Sequence, residues 1–250
     1  MSDRPSTYQW LQNELGELIY STPKGTKLPS EPKLAEALGV SRATLREAMR
    51  TFESQGLLRR RQGSGTYVVG PSQVIDSGLE VLESIETQAE KLGVSVAMGD
   101  LEIIHLAAKP NQAENLEVVE GTPLIQVRRV ILTEGAPAAY LVDLLPEGIL
   151  DPDILAAQFT GSVLDLLIQI GDPRPSTSKT EISAIHAPIE VAKALEIQRG
   201  DTLLLLTAQL FDSEGNPIDY SHSYFLPGNF RLHIIRKIGG DGLGPTPPIK

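Results

Sequence analysis

The chain has 250 residues, 41% of them hydrophobic and 22% charged, the make-up of an ordinary packed protein. It contains no cysteine, which excludes disulfides, thiol catalysis and cysteine-ligated metal. No charged start leads into an apolar run, and the longest aliphatic stretch, Leu203-Leu204-Leu205-Leu206, is far too short to cross a bilayer, so a cytoplasmic protein without membrane attachment is expected. The net charge of −10 divides unevenly. Residues 1–70 hold ten Lys/Arg against seven Asp/Glu, a net +3, and residues 71–250 hold twelve against twenty-five, a net −13. A basic segment ahead of an acidic one suits a polyanion-binding piece joined to a domain with another task.

In chain order, Tyr8 to Tyr20 carries Leu11, Leu15, Leu18 and Ile19 at helical spacing and predicts a helix with a core stripe. Ser30 is placed to cap a short helix from Glu31 to Leu38, with Pro32 tolerated in its first turn and Gly39 ending it. Ser41 is placed to cap a second helix that runs to about Gln55 and stops at Gly56. Leu57 to Arg61 and Thr66 to Val69 read as the strands of a hairpin around Gln62-Gly63-Ser64-Gly65. The predicted organisation is a small basic domain over 1–70, a linker over 71–81, a mixed α+β domain over 82–238 and a disordered Gly/Pro-rich tail over 239–250.

The larger domain repeats itself. Leu116-Glu117-Val118, Gly121 and Leu124 match Leu195-Glu196-Ile197, Gly200 and Leu203 at an offset of 79. Each copy reads helix, turn, long strand, tight turn, long strand, so two related halves sharing one sheet are expected, with a ligand cleft between them.

Helix, tight turn and helix between Glu31 and Gln55 give a helix-turn-helix. On its second helix Arg42, Arg46 and Arg50 form one basic stripe, while Leu45, Met49 and Phe52 lie on another face. Such a helix suits a major groove, although the same stripe fits a solvated helix paired with Glu47 and Glu53. The hairpin adds Arg59-Arg60-Arg61, with Arg60 expected on a phosphate, beside a glycine-rich tip able to approach DNA closely.

These residues closely resemble the N-terminal domain of the GntR family over residues 8–70: Leu28-Pro29-Ser30-Glu31, Leu38-Gly39-Val40-Ser41-Arg42-Ala43-Thr44-Leu45-Arg46-Glu47-Ala48, and Arg61-Gln62-Gly63-Ser64-Gly65-Thr66-Tyr67-Val68. The resemblance implies a winged helix-turn-helix with DNA contacts at Ser41, Arg42, Thr44 and Arg46, and at Gln62 and Gly63 on the wing tip. Where the family has Arg after Pro-Ser-Glu this chain has Pro32, so that base contact is lost or passes to Lys33.

Residues 82–236 are similar to the HutC-type (UTRA) effector domain of the same family, on a Leu-Glu-Val-x-x-Gly-x-Pro-Leu turn, an Arg-bearing strand ending in a Gly-x-Pro hairpin, Ser162-Val163-Leu164, and Asp219-Tyr220-Ser221 with Tyr224. The resemblance implies an α+β, chorismate-lyase-like fold, a small-molecule effector, and a homodimer on a roughly palindromic operator. The strand Ile125 to Ile131 puts Ile125, Val127, Arg129 and Ile131 on one side, and an arginine on an apolar face requires an anionic partner. That partner is either a ligand carboxylate or phosphate, or a carboxylate of the chain, Asp143 or Glu181. The family places a ligand-binding arginine here, and Ser84, Ser162, Asp219, Ser221 and Tyr224 complete the candidate effector site. Phosphosugar-binding relatives carry a second arginine and a glutamate where this chain has Ile131 and Leu141, which favours a less polar or singly anionic effector.

Two other readings compete. One is a dimeric repressor whose ligand pocket is vestigial; the other is a chorismate-lyase-like enzyme. The second is disfavoured because only Arg129 is available to clamp a dianion. The four histidines lack metal-ligand spacing, and neither GxSxG nor a Walker loop is present, so no metal or cofactor is expected.

Overall fold

The computed structural model describes residues 7–54, 56–61, 63–69, 75–150, 154–155 and 159–235. Gln62, residues 71–74 of the expected linker, and the 239–250 tail lie outside them.

The N-terminal domain is built from α1 (Thr7–Ser21), α2 (Glu31–Ala37), α3 (Arg42–Ser54) and the hairpin strands β1 (Leu58–Arg61) and β2 (Gly65–Val68). Its core is the stripe legible in the sequence: Leu11, Leu15 and Ile19 of α1 meet Leu34 and Ala35 of α2 and Leu45, Ala48, Met49 and Phe52 of α3. Ser41 caps α3 by accepting the Thr44 N–H at 3.1 Å. Ser30 occupies the cap position of α2 but makes no side-chain hydrogen bond there. Pro32 in the first turn removes one of the N–H groups such a cap would accept. Residues 25–28 run beside β2, with Leu28 N–H donating to Thr66 O at 2.8 Å and Val68 N–H to Thr26 O at 2.9 Å, so the wing is stiffened by a third segment.

The expected linker is shorter than its composition suggests. Residues 75–78 form a strand, β3 (Ile75–Gly78), paired in parallel with β10 (Phe230–His233) near the end of the chain. Ile75 is fully buried among Ile131, Phe225 and Phe230. An apolar residue in a core cannot serve as tether, so the chain is anchored to the larger domain from Ile75 onward.

The larger domain then follows as α4 (Ile85–Lys91), β4 (Val96–Ala107), α5 (Pro110–Leu116), β5 (Pro123–Thr133), β6 (Ala136–Pro146), α6 (Val163–Ile170), β7 (Pro175–His186), α7 (Ile189–Ala194), β8 (Thr202–Asp212) and β9 (Pro217–Phe225). The first helix of this domain, α4, begins seven residues after β3 ends. The repeat maps onto these elements: α4-β4-α5-β5-β6 answers α6-β7-α7-β8-β9, and the two halves form one antiparallel sheet in the order β4-β5-β6-β9-β8-β7. Glu117 and Glu196, equivalent in the repeat, both take left-handed backbone after their helices, with φ of 52° and 55°. The sheet carries α6, Leu150 and Leu155 on one face, over Ile125, Val127 and Leu210, and packs α5 and α7 on the other.

Leu15 is fully buried against the helix-turn-helix. Leu15→Ala should destabilise the N-terminal domain by about 2–5 kcal/mol through the cavity it leaves. Calorimetry should show one transition lowered; an unchanged thermogram would contradict this packing.

Candidate DNA interface and effector site

Ser41, Arg42, Thr44 and Arg46 stand on the first turns of α3, with Ser41, Arg42 and Arg46 exposed and Thr44 half-buried. The Ser41 and Thr44 hydroxyls are 2.8 Å apart. Arg46 is paired with Glu31 of α2 at 2.7 Å, and Arg50 with Glu47 at 3.3 Å, so part of the stripe is met within the domain. Lys33 is exposed on α2 and Gly63 at the wing tip.

Arg60, expected on a phosphate, is instead only 9% exposed. Its Nη2 lies 3.2 Å from Glu31 and 3.0 Å from Glu53, and its Nη1 donates to Gln198 Oε1 of the larger domain at 3.3 Å. The alternation of β1 turns Arg60 toward these carboxylates, and a single strand position cannot present its side chain to both faces. Burial lifts the Glu53 carboxyl to about 7, with Asp201 across the interface and Glu31 adding to the rise and Arg60 and Arg50 opposing it.

The same strand ties the domains together. Arg59 is 8% exposed and donates from Nη2 to the Pro137 carbonyl at 2.7 Å. Arg61 lies 3.6 Å from Glu196, and Lys24 pairs with Glu134. Gly56, with φ of 70°, meets Gly228 backbone so closely that a Cβ would stand 2.8 Å from the Gly228 Cα. Beside these contacts a cleft of about 1050 Å³ separates Arg46, Arg50 and Thr51 of α3 from Gln198, Arg199 and Asp201 of the larger domain. None of the cross-domain partners was legible from one sequence, because each joins residues far apart in the chain without a motif between them.

In the larger domain, β5 places Arg129 directly opposite Leu141, and Leu141 opposite Ser223, so these residues share the sheet face that carries α6. Arg129 is buried and its Nη1 donates to Asp143, which resolves the choice between chain carboxylates in favour of Asp143 over Glu181. Its guanidinium carbon lies 5.8 Å from the centre of the Phe159 ring, within cation–π range. Asp219 accepts the Leu144 N–H at 3.1 Å, and burial together with Asp143 holds its carboxyl well above the usual range. Glu86 of α4 is pushed up by burial, against the pull of Arg129.

Ser84 and Ser162 are helix caps. Ser84 accepts the Thr87 N–H at 3.0 Å at the start of α4, and Ser162 accepts the Asp165 N–H at 3.0 Å at the start of α6. Ser84 also donates to Asp165 Oδ2 at 2.6 Å, joining the ends of the two repeat-related helices. The Ser-Val-Leu-Asp spacing is that of a capping box, a signal present in the sequence. Ser221, opposite Asp143, shares the Arg129 face. Tyr224 does not: three residues from Ser221, it points to the other face, where its ring lies 6.2 Å from Tyr140 and it lines a separate hollow of about 650 Å³ with Gln126, Arg128 and His222. The structure therefore gathers Ser84, Arg129, Ser162, Asp219 and Ser221 around one region and separates Tyr224 from them. Asp143, Asp165, Glu86 and Phe159 join them there.

Comparison with known proteins accounts for both halves. The profile of bacterial regulatory proteins of the gntR family matches residues 7–68, and the UTRA domain profile matches residues 91–231. The histidine utilization repressor of Pseudomonas aeruginosa is 30% identical over 189 residues, which cover 74% of this chain and 72% of that one. The chain belongs to the GntR family, in its HutC-type, UTRA-containing branch. An HTH-type transcriptional regulator of Mycobacterium tuberculosis is 28% identical over 89% of this chain and 82% of its own length. The repressor NagR of Bacillus subtilis is 26% identical over 79% and 80%. The crystal structure of PhnF from Mycobacterium smegmatis shares the fold, with a TM-score of 0.62 and 22% identity, covering 92% of this chain and all of that one. This GntR-family protein is a DNA-binding transcriptional regulator with an α+β effector-binding domain. Among the described residues no helix is long and apolar enough to cross a membrane, and no cluster of His, Asp and Glu suits a metal.

The contact at Gly56 gives a direct check on the docked arrangement. Gly56→Ala drives a methyl group into Gly228 backbone and should part the domains, measured as an increase in radius of gyration by small-angle scattering. A scattering curve identical to that of the parent protein would contradict the interface.

Proposed function

We propose that this GntR-family regulator is a repressor that binds a roughly palindromic operator as a homodimer, and that an effector at Arg129 sets its operator affinity. The observation that carries the reading is the double use of the basic surface. Arg46, which suits a base edge, lies on the wall of the interdomain cleft, and the β1 arginines beside it are engaged by the larger domain. A protein whose DNA-binding side chains are held by its own effector domain is built for control, since any ligand with unequal affinity for the docked and free arrangements shifts the balance.

On DNA, Ser41, Arg42, Thr44 and Arg46 enter the major groove, with Arg46 exchanging Glu31 for a base. Lys33 supports them from α2, while Gln62, which lies outside the described residues, and Gly63 approach from the wing. Arg60 reaches a phosphate only in an arrangement that frees it from Glu31, Glu53 and Gln198. A twofold pair of such helices reads two half-sites, which supplies the affinity that one domain of charge +3 lacks. The effector lies beside Arg129, within reach of Ser84, Ser162, Asp219 and Ser221, and no catalytic step is assigned to it. This reading places the protein in the cytoplasm, where the chromosome is accessible.

Arg46→Ala should weaken operator binding by about 1–3 kcal/mol and relax preference at one base position, with binding to random DNA reduced far less. Fluorescence anisotropy with operator and scrambled duplexes tests this. Equal losses on both duplexes would place Arg46 on the phosphate backbone instead.

A further inference from the structure

The chemical class of the effector follows from the charge around Arg129, and this inference rests on the proposal that the effector binds there. The guanidinium is only 6% exposed on its side chain and already donates to Asp143, while its Nε has no hydrogen-bond partner among the described residues. Asp219, buried and hydrogen-bonded to the Leu144 amide and Ser221, resists ionisation because of its burial and the neighbouring Asp143. Glu86 and Asp165 approach from α4 and α6, and Glu86 lies within electrostatic reach of Arg129, Asp165 and Asp143. Asp165 is satisfied by Ser84, but Glu86 Oε1 has no partner among the described residues. Gly161 leaves that oxygen room, since a Cβ there would stand 3.2 Å from it.

One cation thus faces four carboxylates. On the same sheet face, Ile131, Leu141, Ser221 and Ser223 bring no positive charge to balance them. A phosphate or dicarboxylate entering this region would bring negative charge beside Asp219 and Glu86, two carboxyl groups that already resist ionisation, a costly step in a poorly solvated site. A cation would favour the ionised form of these carboxyl groups, and a hydrogen-bond acceptor would satisfy the buried Nε of Arg129, unpartnered among the described residues.

We propose that the effector is a small molecule bearing an amine or amidine, its cationic group held between Glu86 and the Asp143–Asp219 pair and an acceptor such as a carboxylate or carbonyl oxygen at Arg129 Nε. Phe159, whose ring already faces the guanidinium, offers a π surface to the same cationic group. A zwitterion the size of an amino acid satisfies both ends.

The test uses the full-length protein at pH 8 and constant ionic strength, with thermal shift as the readout. The probes are 4-aminobutyrate, agmatine, L-lysine, butyrate, inorganic phosphate and glucose 6-phosphate. The amine-bearing probes should raise the melting temperature, while butyrate, phosphate and glucose 6-phosphate should not, and Glu86→Gln should abolish the response. In the ligand-free protein Glu86→Gln should itself raise the melting temperature by a few degrees, because it removes an uncompensated charge. Stabilisation by phosphate or glucose 6-phosphate that disappears in Arg129→Ala would overturn the amine class while leaving the effector site in place. An amine response that survives both Arg129→Ala and Glu86→Gln would overturn the site itself. Silence from every amine, together with a lower melting temperature for ligand-free Glu86→Gln, would also overturn the inference.

Discussion

An arginine cannot be buried alone, and the structure depends on how that constraint is met in β1. Three consecutive arginines leave the winged domain with more positive charge than its own carboxylates can absorb on one edge. Arg60 takes Glu31 and Glu53; Arg59 and Arg61 turn outward to Pro137 O and Glu196 of the neighbouring domain. The exposed pair at Arg61 contributes little, because solvent screens it. The buried hydrogen bond of Arg59 and the backbone approach of Gly56 to Gly228 contribute more, since neither tolerates a partner that is misplaced or missing. The two domains are therefore joined through groups that are also suited to a nucleic acid, and in the proposed mechanism this overlap links the effector domain to DNA.

Much of the architecture was legible in the chain. The helical spacing of Leu11, Leu15 and Ile19 and the faces of α3 follow from a 3.6-residue period, and the alternation around Arg129 follows from a period of two. The repeat at an offset of 79 also has a physical counterpart, because related halves fold alike and their last strands, β6 and β9, pair across the middle of one sheet. What escaped was set by partners distant in sequence. Composition around residues 71–81 reads as linker, yet Ile75 finds a buried place only because β10 returns from the far end of the domain. Arg60 reads as a phosphate contact until Glu53 and Gln198 are brought beside it.

The candidate effector site shows the same division. Arg129 could be singled out because one charge on an apolar strand is conspicuous, and Asp143 was one of two partners in reach. Glu86 and Asp165 could not, since they arrive from helices whose position over the sheet is decided by packing. The family resemblance sets Tyr224 beside Ser221 in the candidate site, whereas pleating sends the two to opposite faces. The outcome is a site whose surroundings are acidic although its most conspicuous residue is basic.

In the proposed mechanism, the arrangement joining β1 to the effector domain is incompatible with operator binding. The absence of cysteine allows a direct measurement: spin labels at Tyr20→Cys and Val119→Cys, which are 71% and 79% exposed in the parent protein, report the distance between the domains by pulsed electron resonance. Labelled chains diluted into unlabelled protein keep the signal within one chain. Saturating operator DNA should move the distance distribution away from that of the free protein. A distribution unchanged on saturation with operator would contradict it.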